Sequence, residues 1–195
     1  HSEGPSMVVA GAGSGKTRVI TCRIAYLIHE RGIDPENILA ITFTNKAAGE
    51  MKERIRNMLG QGELSSWVST FHSFCLRMLR KHITELGFSN DFAVYDAQDQ
   101  LTLIKQCMKA AQISTDAFPV KSLLNHISGF KNNFFLPDQL DLDSMSYGNQ
   151  MKAAELYPIY QAALKSNNAL DFDDLLAFTA KLFQQVSLLR ERYDK

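Results

Sequence analysis

The sequence predicts an α/β protein, a parallel sheet with helices that carries an all-helical inserted subdomain. Three observations predict it. Over the first 86 residues, short apolar runs alternate with amphipathic stretches, the pattern of strand–helix units in a parallel sheet. A glycine-rich loop joins the first apolar run to the first amphipathic stretch. From Gly87 to about Asn168 the helical period continues while strand signals stop.

Each element has its own warrant. Met7–Ala10 is a short apolar run suited to a buried strand. From Lys16 to about Glu30, Ile20, Ile24, Leu27 and Ile28 recur at helical spacing, and Gly32 follows as a stop. Asp34-Pro35-Glu36-Asn37 is a turn, and Ile38–Phe43 is the second strand. A helix over 46–59 puts Ala47, Met51, Ile55 and Met58 on one face, closed by Gly60 and Gly62. Trp67–Phe71 is a third strand. A helix over 72–86 follows, burying Leu76, Leu79 and Ile83.

In the insertion, Asp96 with Asp99 three positions on starts a helix striped by Leu101, Ile104 and Met108. Pro119 starts another, with Leu123, Leu124, Ile127 and Phe130. Residues 132–148 are polar and turn-rich. A helix over 149–166 carries Met151, Tyr157, Tyr160 and Leu164, and a last one runs from Asp171 to about Gln185.

Composition bounds the function. The chain has 195 residues, 45% hydrophobic and 22% charged, as in an ordinary globular protein. No apolar run is long enough for a membrane span, and no signal peptide is visible. Cys22, Cys75 and Cys107 lie far apart, which predicts reduced thiols in a cytoplasmic protein rather than a disulfide framework or zinc site. Net charge is zero. Residues 1–82 hold 11 Lys and Arg against 7 Asp and Glu, and residues 83–195 hold 10 against 14. Any contact with nucleic acid must therefore be local, aimed by loops rather than drawn by a general basic field.

The loop Ala10-Gly11-Ala12-Gly13-Ser14-Gly15-Lys16-Thr17 has the spacing of a P-loop, with Ala at the usual first Gly. Glycines let the backbone wrap an oxyanion with its amides turned inward. The following helix offers its positive N-terminus to phosphate. Lys16 can reach the β- and γ-phosphates, and Thr17 can offer its hydroxyl to Mg²⁺. A strand before the loop and a helix after it separate this from a chance glycine turn.

Thr42-Phe43-Thr44-Asn45-Lys46-Ala47-Ala48 and Ser69-Thr70-Phe71-His72-Ser73-Phe74 fall at the carboxyl ends of the next two strands, where parallel sheets place their ligands. Hydroxyl and amide side chains there can donate to phosphate oxygens, and Phe43 can stack on an unpaired base. Each stretch also has a plain structural alternative. Thr44 or Asn45, and Ser69 or Thr70, can cap the following helices, and Phe43 and Phe71 can be core. A metal role for His72 lacks the Cys/His cluster that a metal site needs. The cluster Asp171, Asp173 and Asp174 suits a helix start better than a catalytic site.

Four blocks together resemble the UvrD/Rep/PcrA family of superfamily 1 DNA helicases: VVAGAGSGKTRV, NILAITFTNKAAGEM, STFHSFC and LDFDDLL, in order and at family-like spacing. The resemblance spans the chain but only the N-terminal part of such a helicase. It implies a P-loop NTPase fold, with 1–86 and 167–195 as an incomplete first RecA-like domain and 87–166 as the helical insertion called 1B. It implies ATP and Mg²⁺ as cofactors and 3′ to 5′ movement along single-stranded DNA toward duplex junctions, with accessory repair or replication proteins as further partners. Ala10–Thr17 and Arg18 would meet the nucleotide, Lys16 and Thr17 as the catalytic pair. Thr42, Phe43, Thr44, Asn45, Lys46, Thr70, His72 and Phe172 would meet DNA.

The family's adenine-reading Gln segment, its Asp-Glu strand end and its second RecA-like domain have no counterpart in these residues. The expectation is thus a fragment that does not hydrolyse ATP or unwind DNA at a helicase-like rate by itself. A related helicase–nuclease subunit, a small P-loop kinase and a noncatalytic DNA-binding module are the alternatives.

Overall fold

The computed structural model describes residues 4–60, 67–143 and 145–193. The chain forms two compact units, residues 1–74 and 75–195, the division falling inside one helix.

In the first unit, helix α1 (Lys16–His29) is followed by strand β1 (Leu39–Thr42), helix α2 (Asn45–Leu59) and strand β2 (Trp67–Thr70). β1 and β2 run parallel, with Leu39 opposite Trp67 and Thr42 opposite Thr70. Ile24 of α1, Met51 and Ile55 of α2, Ala40 of β1, Val68 of β2 and the preceding Ile38 make the core. α2 starts on Thr44, whose hydroxyl accepts from the Ala47 amide at 3.1 Å. It ends on Gly60, left-handed at φ +63°. Gly62 lies outside the described residues. After α1 the chain turns through Gly32 at φ +64°, where the Ile33 amide donates to the Leu27 carbonyl.

Two expectations are corrected in this unit. Met7–Ala10 is not a strand: it is irregular, with Met7 88% and Val9 85% exposed. An apolar run becomes a strand only against a ladder partner. Among the described residues the sheet holds β1 and β2 alone. The apolar stripe of α1 is also narrower than its spacing promises, because Ile20 stays exposed while Ile24 is buried.

Helix α3 (Phe71–His82) crosses the division and continues as a 3₁₀ turn to Leu86. The second unit then contains strand β3 (Ala93–Tyr95), helices α4 (Ala97–Ala110), α5 (Val120–Asn132) and α6 (Asn149–Ser166), strand β4 (Ala169–Asp171), and helices α7 (Phe172–Gln185) and α8 (Ser187–Tyr193). Its core joins Leu103, Ile104 and Met108 of α4, Leu123 and Ile127 of α5, and Leu156, Tyr157, Tyr160 and Leu164 of α6. α4 begins in a full capping box between Asp96 and Asp99. α6 runs through Pro158, an exposed position that lacks the amide an ordinary helix residue would donate.

The stretch expected to be all helical contains β3, which pairs in parallel with β4, Ala93 opposite Ala169 and Tyr95 opposite Asp171. Three residues are too few to show a period of two, and the partner lies more than 70 positions away. Asp171 ends β4 and caps α7 rather than opening the helix itself.

Among the described residues, no helix is long and apolar enough to cross a membrane.

Candidate nucleotide and nucleic-acid site

The glycine loop bends through the left-handed region at Gly13 (φ +77°) and Gly15 (φ +88°), conformations that favour glycine. A Cβ built on Gly11 or Gly13 meets nothing within 4 Å. The loop face is therefore open to close approach by a ligand. Ser14 closes the turn, its hydroxyl donating to the Gly11 carbonyl at 2.7 Å. Lys16 folds back over the loop, its ammonium donating to the Ala10 and Gly11 carbonyls at 3.1 and 2.6 Å.

α1 starts at Lys16 with no side-chain cap and no acidic residue in its first turn. Its leading amides and the positive end of its dipole are left for an anion. Thr17, half-buried, and Arg18, exposed, stand in that first turn. The chemistry of this donor set fits a nucleotide phosphate with Mg²⁺: amides and Lys16 for the oxygens, Thr17 for the ion. Among the described residues, no group of three or more His, Cys, Asp or Glu side chains could hold a metal ion.

The carboxyl ends of β1 and β2 lie side by side because the strands are parallel and in register. Thr42 faces Thr70 across the ladder. Phe43 follows, 88% exposed, which excludes it from the core. Its ring lies 5.9 Å from that of Phe71, tilted by 46°. Phe71 is itself 43% exposed, so sequence reasoning missed a second surface aromatic by leaving it as a core candidate.

The helix-capping alternatives are realised at the hydroxyls. Thr44 caps α2, and Thr70 accepts from the Ser73 amide at 3.2 Å while pairing with the Ser73 hydroxyl at 2.8 Å. A capping hydroxyl accepts with its oxygen and keeps its own proton to donate. Asn45 and Lys46 are exposed in the first turn of α2, and His72 is half-buried at the start of α3.

Phe172 belongs to the second unit, half-exposed as the first residue of α7. Its acidic neighbours form a capping box: the Asp174 amide donates to Asp171 Oδ1 at 2.9 Å, and the Asp171 amide to Asp174 Oδ2 at 3.2 Å. The helix-start expectation for this cluster is met. Unforeseen was Lys131, buried at the end of α5, whose ammonium pairs with Asp171 at 2.7 Å and Asp174 at 2.8 Å. A signal existed. Lys131 stands eight residues after Leu123, on the buried stripe of α5, and a lysine there requires buried partners.

Tyr160 donates to Asp171, and Gln161 to both oxygens of Asp174. Burial opposes the Lys131 charge, yet the two carboxylates outweigh it and hold its ammonium above the usual range. Burial pushes Asp174 up to about 6, with Asp171 adding to the rise and Lys131 opposing it. One cation between two buried carboxylates leaves the Asp174 charge only partly compensated.

Residues 1–195 match the family model described as the UvrD/REP helicase N-terminal domain. The chain is 45% identical over 194 residues to the ATP-dependent DNA helicase PcrA of Bacillus subtilis (strain 168), an alignment covering 100% of the chain and 26% of that protein. It is 44% identical over 192 residues to the protein of the same name from Staphylococcus aureus (strain Mu50), covering 98% of the chain and 26% of that protein. The chain thus spans about a quarter of the length of these curated relatives.

Proposed function

We propose, since the chain belongs to the UvrD/REP helicase N-terminal domain family, that it is the nucleotide-gripping and DNA-contacting part of an ATP-dependent DNA helicase. Such a protein would work in the cytoplasm, on single-stranded DNA and duplex junctions. Residues 1–86 and 167–195 would be its first RecA-like domain, and 87–166 the 1B insertion.

Loop amides and Lys16 would bind the phosphates, Thr17 would hold Mg²⁺, and Arg18 would stand beside the nucleotide. The bound nucleotide supplies a phosphoanhydride whose hydrolysis drives movement. The chain's own task is to neutralise the phosphate charge and orient it at the start of α1. Thr42, Thr44, Asn45, Lys46, Thr70 and His72 would contact the DNA backbone, and Phe43 and Phe172 its bases.

One observation carries this proposal: Phe43 stands almost fully exposed beside Phe71 at the paired carboxyl ends of two parallel strands, in the same unit as the Lys16 loop. An apolar ring in that setting suits base stacking. A fluorescent ATP analogue and an oligothymidylate, titrated separately into the chain, test it. Nucleotide binding should fall with Lys16→Ala but not with Phe43→Ala, and DNA binding should show the reverse. Equal loss of both on either substitution would count against separate nucleotide and DNA contacts.

A further inference from the structure

The ion cluster under Phe172 is built more elaborately than helix capping needs. Each carboxylate gives one oxygen to the capping box and the other to Lys131 (Asp171 Oδ1 and Oδ2, Asp174 Oδ2 and Oδ1, respectively). The next residue of α5, Asn132, donates to Asp173 at 3.2 Å. Lys131 and Asn132 therefore grip all three aspartates around Phe172, while the Phe172 ring remains half-exposed. Tyr160 and Gln161 of α6 close the far side. A buried cation with two carboxylates is a weak source of stability, since well-packed apolar residues often do as well. What it gives here is a fixed direction for the first turn of α7.

We propose that Lys131 is a positioning residue for DNA, locking the first turn of α7 to α5 so that Phe172 is presented rigidly to a base of a single strand. This rests on the DNA contact proposed for Phe172 and assigns the side chain that aims it. Lys131 itself, fully buried, does not touch DNA.

The test uses Phe172→Trp in a Trp67→Phe background, which leaves one indole to report, because Trp67 is the chain's single tryptophan. Oligothymidylate should quench the introduced indole on stacking. Lys131→Met should remove most of that quench at saturating DNA and weaken binding by about tenfold, within the range of one base–aromatic stack. It should also speed amide exchange at Asp173 and Asp174.

Lys131→Met strands two buried carboxylates, so the neutral variant Lys131→Met/Asp171→Asn/Asp174→Asn keeps the test open if the single variant does not fold. Asn retains the capping oxygen. Full quench and unchanged affinity in a folded variant would overturn the positioning role and leave the DNA contact standing. No quench of the introduced indole with Lys131 intact would remove the DNA contact at Phe172, and the positioning role with it.

Discussion

Lys16 donates to two carbonyls of its own loop, and these are bonds it can exchange for phosphate oxygens without disturbing any core. Lys16→Ala should weaken binding of an ATP analogue about 10- to 100-fold, the scale of one or two charge-assisted hydrogen bonds, with little change in thermal stability. Calorimetric titration paired with a thermal melt checks both halves.

Asp174 carries a different expectation. It faces Lys131 of α5, Asp171 beside it, and Tyr157, Tyr160 and Gln161 of α6. Its carboxyl rises from 3.8 to about 6 on folding, so the folded chain holds this proton more tightly than the unfolded chain does. The stabilising contribution is present below about pH 4 and is lost as pH rises through about 6. Relative to Asp174→Asn, the wild-type chain should lose stability on the order of 2 kcal/mol between about pH 4 and about pH 7.5 in urea unfolding. A difference that does not vary with pH would contradict the burial of this charge.

At the scale of elements, Thr44 joins fold and site. Its hydroxyl caps α2, so Thr44→Ala should cost about 1 kcal/mol in urea unfolding, whereas Thr44→Ser should cost only a few tenths. Ile55 is fully buried between α2 and the sheet core, and Ile55→Ala should cost about 2–5 kcal/mol by the same measurement. The longer helices were legible in the sequence because they carry several turns of period, some with a chemical start or stop such as Asp96 with Asp99, Thr44 or Gly60, whereas the seven-residue α8 is too short to show a period and was not foreseen. The glycine loop was legible because its backbone demands leave few residue choices. The short strands were not. Met7–Ala10 has the apolar content of a strand but no ladder among the described residues, while Ala93–Tyr95 has a ladder through a partner near residue 170 that no local pattern announces. Phe43 could be recognised as a site candidate, but its exposure depends on where β1 ends. Lys131 escaped because its partners lie 40 and 43 positions away.

For the molecule as a whole, the four motif blocks distribute over the two units. The first two lie within residues 1–74, the third crosses the division by one residue, and the Asp-rich block lies in residues 75–195. The glycine loop and Phe43 share the first unit, and Phe172 belongs to the second. A motor needs nucleotide and strand to be held by one protein, so that a change at the phosphates can move DNA. With zero net charge, binding should depend on these contacts rather than on a diffuse field. The most direct measurement is steady-state ATP hydrolysis by the full-length gene product that carries this chain, with and without oligothymidylate. Hydrolysis should rise strongly with single-stranded DNA, vanish with Lys16→Ala, and lose most of its DNA stimulation with Phe43→Ala. Hydrolysis indifferent to DNA, or phosphate transferred from ATP to a small molecule instead of water, would contradict a helicase role.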